Sequence, residues 1–396
     1  MTEHVLEPPA VRARGDDPPE PPAVRGERIQ MTVSTRDPAA LAAALQGWLR
    51  GKLELRDPPA ISGVRTPPSG GLSSTSLLFE AEWSSEGAPQ RGAYVARMAP
   101  EQSAIPVFPR YDLPGQFRLI DEVSRRCDVP LPRLRWNQPD GDPLGTAFFV
   151  MDQVAGRVPL DNPPYVFGGW LLDATAEERA QLERASVKIV ADLHAIPDPA
   201  KAFGWLRPPP GTSTLRWHVD QQYAYYRWAL ADDGIRIPII ERSLDWLERH
   251  WPADTGPDVL SWGDSRIGNI IYDGFTPAAI LDWEMAGLGP REIDIAWFIF
   301  LHRFFQDIAE FFEIPGLPDF LRRSQVERLY CEFTGHELQD MDFYLLYAAL
   351  RHAIVMARIK RRMIHFGEDE VPDDIDDYVM HRASLDKLLA GTYRWD

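Results

Sequence analysis

The stretch Leu260-Ser-Trp-Gly-Asp-Ser-Arg-Ile-Gly-Asn-Ile-Ile-Tyr272, followed shortly by Ile280-Leu-Asp-Trp-Glu284, constrains this chain more than any other feature. Each segment is a short apolar run that ends in a polar loop. Asp264 and Asn269 stand five positions apart in the first loop, and Asp282 opens the second. An isolated Asp or Asn in a loop is ordinary turn chemistry, since both bend and cap backbone. Two such loops in this order also meet the needs of phosphoryl transfer. That reaction asks for a carboxylate that orients the attacking hydroxyl and for hard oxygen ligands that hold Mg²⁺ against phosphates.

At these residues the sequence resembles the aminoglycoside phosphotransferase family, a branch of the protein-kinase-like fold. The family carries a His-Gly-Asp-x-x-x-x-Asn loop and an Ile/Leu-Asp-Trp/Phe-Glu loop. Here they read Trp262-Gly263-Asp264 with Asn269, and Leu281-Asp282-Trp283-Glu284. In flavour the match is nearest to bacterial and acyl-CoA-dehydrogenase-associated small-molecule kinases. The resemblance implies an α+β, two-lobed fold, with a small antiparallel-sheet N-lobe and a larger, mainly helical C-lobe. It implies ATP and Mg²⁺ as cofactors. Asp264 is then the catalytic base or hydroxyl-orienting group, Arg266 brings positive charge to the transferring phosphoryl, and Asn269 and Asp282 bind the metal. Asp294, in Glu292-Ile-Asp-Ile-Ala-Trp297, braces the catalytic loop or serves as an ordinary helix-end residue. Trp262 departs from the family's His.

Further family positions fall upstream. Pro68-Ser-Gly-Gly-Leu-Ser-Ser-Thr-Ser76 is a glycine and hydroxyl turn running into the strand-like Leu77–Trp83. Its position matches the phosphate-covering loop, with Gly70, Gly71 and Ser73 as cofactor-binding residues, although such a turn is also a common hairpin connection. In Ala93-Tyr-Val-Ala-Arg-Met98, alternation sets Arg97 on one face with Val95. Arg97 is therefore at a sheet edge or aimed at an anion, and the resemblance makes that anion the nucleotide phosphates. The Glu that pairs with this cation in kinases is replaced by Gln116, or by Asp121 or Glu122 in a shifted register. A neutral Gln116 leaves Arg97 with a hydrogen bond in place of an ion pair. Thr146–Met151 leads into Asp152-Gln-Val-Ala-Gly156, the expected hinge, where the Asp152 carbonyl and the Val154 amide read adenine.

The expected organisation is a Pro/Arg-rich extension over residues 1–30, a nucleotide-binding lobe over 31–155 with the hinge near 151–156, and a helical lobe over 156–396. Pro-rich, charged residues at the start cannot bury enough apolar surface to offset their ordering entropy. Asp37-Pro38 opens the first helix as a cap and first-turn pair. Helical spacing places further helices over 115–125, 174–194, 214–231, 238–250, 293–305 and 342–362.

Formal net charge is −17, which disfavours a nucleic-acid partner. Two cysteines, Cys127 and Cys331, read as reduced thiols. No apolar run reaches the roughly 20 residues that span a bilayer, so the expectation is a cytoplasmic protein. The acidic stretch Phe366–Tyr378 reads as a solvated loop, although acidic groups near this point bind substrate amines in several relatives. The short path from Glu284 to the next helix leaves no peptide-binding segment, so the expected partner is a small-molecule hydroxyl acceptor, an aminoglycoside-like antibiotic or a metabolite. A non-catalytic, nucleotide-binding protein acting through partners is the alternative, motivated by Trp262 and Gln116. Oligomeric state stays open.

Overall fold

A computed structural model describes residues 37–66 and 74–396. The turn carrying Gly70, Gly71 and Ser73 lies outside the described residues, as does the N-terminal extension. The first half comprises α1 (Pro38–Lys52), β1 (Ala60–Arg65), β2 (Thr75–Ser85), β3 (Ala88–Met98), α2 (Leu113–Ser124), β4 (Leu134–Gln138) and β5 (Phe148–Asp152). Helices α3 (Ala176–His194), α4 (Pro199–Ala202), α5 (Thr214–Leu230) and α6 (Pro238–Arg249) follow. Four short strands come next: β6 (Val259–Ser261), β7 (Ile270–Asp273), β8 (Thr276–Ile280) and β9 (Gly287–Gly289). The chain ends with α7 (Glu292–Phe311), α8 (Arg323–Thr334), α9 (Met341–His365) and α10 (Arg382–Leu389).

β1 to β5 form one antiparallel sheet in the order β1-β2-β3-β5-β4. The sheet and the helices that follow it give the expected α+β, kinase-like architecture. Period-two alternation explains how the sheet joins two cores. Tyr94, Ala96 and Met98 of β3 and Phe148 and Val150 of β5 pack with Leu41, Leu45 and Leu49 of α1. The intervening Phe149 and Met151 belong to the larger helical core, and Val95 packs against it. Arg97 therefore faces the helical side. β3 sits between β2 and β5, so Arg97 is not at a sheet edge.

Asp37 caps α1 by accepting from the Ala39 and Ala40 amides, as the Asp-Pro pair predicts. α7 and α9 are buried over most of their length and pack on one another beneath the β6–β9 loops. No helix among the described residues is long and apolar enough to cross a membrane. Four acids of the stretch before α10 have partners within the protein. Asp369 pairs with Lys360, Asp374 and Asp377 pair with Arg382, and Asp376 accepts the Ile239 amide.

Leu49 is fully buried under the sheet. Leu49→Ala is expected to lower the unfolding free energy by roughly 2–5 kcal/mol. Urea denaturation measures it. A loss no larger than that of a typical surface substitution, about 0.5 kcal/mol, would mean that α1 is not part of that core.

Candidate active site

The site is built on one carboxylate, Asp294 in the first turn of α7, which is fully buried. Its Oδ1 accepts from Ser261 Oγ and from the Gly263 amide, both at 2.9 Å. Its Oδ2 accepts from the Trp262 amide at 2.7 Å and lies 3.0 Å from His194 Nε2. The Asp294 carbonyl accepts from Ser265 Oγ at 2.8 Å. His194, at the end of α3, meets Tyr330 Oη through Nδ1 at 2.8 Å. With Nε2–H donating to Asp294, Nδ1 is left to accept from the tyrosine. Burial pushes the Asp294 carboxyl up, but His194, Gly263 and Ser261 together more than offset it and hold the carboxyl below its ordinary range.

The loop thus held presents Asp264. Trp297 Nε1 donates to its Oδ1 at 2.7 Å, and Asn269 Nδ2 donates to its Oδ2 at 2.7 Å. Arg266 Nε lies 3.2 and 3.3 Å from the two oxygens. The Arg266 guanidinium reaches Asp161 Oδ2 at 2.5 Å. Burial works against its charge, and the carboxylates of Asp161 and Asp264 more than reverse that effect. The two loop glycines have separate steric jobs. Gly263 has φ +89°, and a Cβ there would run into the Met285 carbonyl of the second loop. A Cβ at Gly268 would strike the Arg266 guanidinium and Asp161.

The second loop is stitched to the first. The Leu281 amide donates to the Asn269 carbonyl at 2.8 Å, and Trp262 Nε1 donates to the Leu281 carbonyl at 2.9 Å. Trp262 therefore supplies a ring N–H to the backbone just before Asp282. Asp282 takes φ +60° and presents Oδ1 to Arg97 Nη2 at 2.6 Å. Glu284 Oε2 is 3.8 Å from the same nitrogen. Burial alone would lower the Arg97 pKa, but Asp282 and Glu284 raise it overall.

Arg97 is thus paired with carboxylates, and the expected hydrogen bond to Gln116 does not form. Gln116 is buried in α2, and its Oε1 has no hydrogen-bond partner among the described residues. Asp121 and Glu122 pair with Arg125 and Arg126 on the outer side of α2, so neither substitutes for it. At the hinge, the Gln153 amide donates to the Ala93 carbonyl, and the Asp152 carboxylate binds Arg135. The Asp152 side chain is therefore committed within the sheet.

Asn269 and Asp282 present hard oxygen donors from two joined loops, which suits Mg²⁺. No cluster of three His, Cys, Asp or Glu among the described residues could hold a metal alone. A kinase-type site does not need one, because phosphate oxygens and water complete the coordination.

A family model described as "Phosphotransferase enzyme family" matches residues 66–322, a span that contains both loops and Arg97. The chain belongs to this family. Its members are kinase-type phosphotransferases that use ATP with Mg²⁺. Among curated relatives, the Arabidopsis thaliana protein named "Probable acyl-CoA dehydrogenase IBR3" is 24% identical over 63% of this chain and 31% of its own length. The chain spans about a third of the length of the curated relatives it matches. Among solved structures, a Ralstonia eutropha protein assigned as an aminoglycoside phosphotransferase has a TM-score of 0.60 at 21% identity, covering 88% of this chain and 97% of that one. A ternary complex of aminoglycoside phosphotransferase APH(4)-Ia with AMP-PNP and hygromycin B has a TM-score of 0.53 at 15% identity, covering 88% and 98%. At these identities the structural likeness speaks for the fold.

In this phosphotransferase the fold brings together Asp264, Arg266, Asn269, Asp282 and Arg97. Sequence reasoning missed four participants: Trp297, Asp161, His194 and Arg351, whose Nη2 donates to the Gly263 carbonyl at 3.1 Å. Only Trp297 carried a signal. It follows Asp294 by three positions, so one face of α7 presents both to the loop.

Asp294→Asn tests the clamp. A carboxylate with a depressed folded pKa adds stability that is fully present above its unfolded value, about 3.9, and is lost as pH falls through the lower folded value. The stability gap between wild type and Asp294→Asn, from urea denaturation, should therefore be large near neutrality and shrink on acidification below about pH 4. A gap independent of pH would contradict a charged clamp.

Proposed function

We propose that this chain transfers the γ-phosphoryl of ATP to a hydroxyl group of a small molecule. The observation that carries the reading is the stitching of the two loops, which ties the loop of Asp264 and Asn269 to the loop that sets Asp282 against Arg97. Asp264 orients the acceptor hydroxyl and takes its proton. Asn269 and Asp282 hold Mg²⁺, which offsets the charge of the phosphates. Arg97 binds phosphate oxygens, and Arg266 supports the charge that develops during transfer. Gly70, Gly71 and Ser73, outside the described residues, are the proposed phosphate-binding turn, while the Asp152 carbonyl and the Val154 amide read adenine.

A small acceptor fits better than a protein. From Glu284 the chain enters β9, which pairs with β6, and α7 begins at Glu292. No long segment is left there for docking a peptide. The non-catalytic reading is weakened at Trp262, whose indole N–H joins the two loops. Two acceptor classes have support from the similar proteins. Relatives named as acyl-CoA dehydrogenases favour a hydroxylated acyl compound. The hygromycin B complex favours an aminoglycoside.

The test is Mg²⁺-dependent ADP formation across aminoglycosides, macrolides, sugars and hydroxyacyl thioesters. Asp264→Ala should reduce acceptor-stimulated turnover by about 10²–10⁴-fold while sparing Mg·ATP binding. Asp282→Ala should weaken Mg·ATP binding itself, measured by calorimetry. Wild-type turnover in Asp264→Ala would sink the reading, and unchanged nucleotide affinity in Asp282→Ala would remove that residue from the metal site.

A further inference from the structure

Both oxygens of Asp264 are occupied in this structure. A carboxylate offers about four lone-pair positions. Trp297 and Asn269 each take one oxygen at 2.7 Å, and Arg266 Nε spans both. An acceptor hydroxyl can reach this carboxylate only where a donor yields. The three donors are held very differently. Asn269 lies in the loop itself and also binds the Asp264 carbonyl at 3.0 Å. Arg266 is shared with Asp161. Both have work at the metal and the phosphoryl in the reading above.

Trp297 has neither task. It is built into α7 at 3% exposure. The Arg351 guanidinium covers its ring at 4.5 Å from the centroid, and His352 meets it edge-on at 6.2 Å. Arg351 also binds the Gly263 carbonyl, so the same side chain fixes the indole and the loop that it serves. We propose that Trp297 is a positioning residue for the reaction. Its indole N–H pins Asp264 Oδ1, so the acceptor hydroxyl meets the carboxylate at Oδ2, where the Asn269 amide or the longer Arg266 contact is the donor that yields. The proposal rests on the phosphotransferase reading. In the step, Oδ2 takes the hydroxyl proton and the hydroxyl oxygen bonds to the γ-phosphorus. The bond from that phosphorus to the β,γ-bridging oxygen breaks, and its electron pair leaves with ADP.

The first test needs no acceptor. In protein labelled with ¹⁵N-tryptophan, the Trp297 indole resonance is identified by its loss in Trp297→Phe. It should lie downfield, as for an N–H bonded to a carboxylate, and stay there when Mg²⁺ and AMP-PNP are added. Asp264→Ala should move it upfield. A resonance that shifts upfield when the nucleotide binds would overturn the proposal.

The second test is kinetic. Trp297→Phe keeps the ring for Arg351 and removes only the donor. It should lower kcat by about 10²-fold, with unchanged affinity for Mg·AMP-PNP, and Trp297→His, whose ring can donate, should recover part of that loss. An equal loss of nucleotide affinity would indicate a merely structural role and overturn the proposal. Wild-type turnover in Trp297→Phe, with Asp264→Ala inactive, would overturn it while leaving the phosphotransferase reading standing. Turnover that survives Asp264→Ala would defeat that reading instead.

Discussion

A single buried carboxylate organises this active site. Asp294 accepts from the Trp262 and Gly263 amides and from Ser261 Oγ, and its remaining contact is His194. A buried ionised group is tolerable only when it is paired and hydrogen-bonded. Here the partners are the backbone of the catalytic loop, so the requirement of the charge becomes a constraint on the loop. The loop cannot drift without stranding a fully buried anion. Asp264 inherits its position from that constraint, and α3, α7 and α8 all contribute to it through His194, Asp294 and Tyr330.

The same economy of contacts joins the two loops. Trp262 stands where the family has His, yet its Nε1–H reaches the carbonyl of Leu281, the residue before Asp282. What this position contributes to the geometry is a buried ring with a donor at its rim, and indole meets that description as imidazole does. Trp283 packs beside it with ring centroids 6.1 Å apart, so the larger ring is accommodated within the apolar floor of the site. Gly263 completes the junction, because a side chain there would collide with the Met285 carbonyl. Loop approach, and not flexibility, is the physical reason for glycine at that position.

Strands β2, β3 and β5 and the long helices were legible in the residue pattern, while the sheet as a whole was implied by the family resemblance. Alternation over Ala93–Met98 reports β3, and the stripe of Phe343, Leu346, Tyr347, Leu350 and Ile354 reports α9. The loops were legible because their residue types are chemically demanding. Other features went unread. α8 and α10 are short helices, and β1 and β4 flank the sheet. His194 reaches Asp294 across 100 positions, and Arg351 reaches Gly263 across 88. Such pairings depend on how helices cross. Arg97 is the instructive case. Alternation fixed its face correctly, but its partner was sought one helix away at Gln116, whereas the fold carries the Asp282 carboxylate to it from 185 positions downstream.

That pairing also gives the site its electrostatic character. Arg97 sits on Asp282 and near Glu284, and Arg266 bridges Asp161 and Asp264. Both guanidiniums are thus paired with carboxylates, among them Asp264 and Asp282 of the proposed chemistry. In the proposed chemistry, a divalent cation bound by Asp282 would share that carboxylate with the Arg97 guanidinium, and phosphate oxygens would offer the guanidinium a further anion. Gln116 takes no part in this pairing, and Asp282 and Glu284 are the charge partners of Arg97.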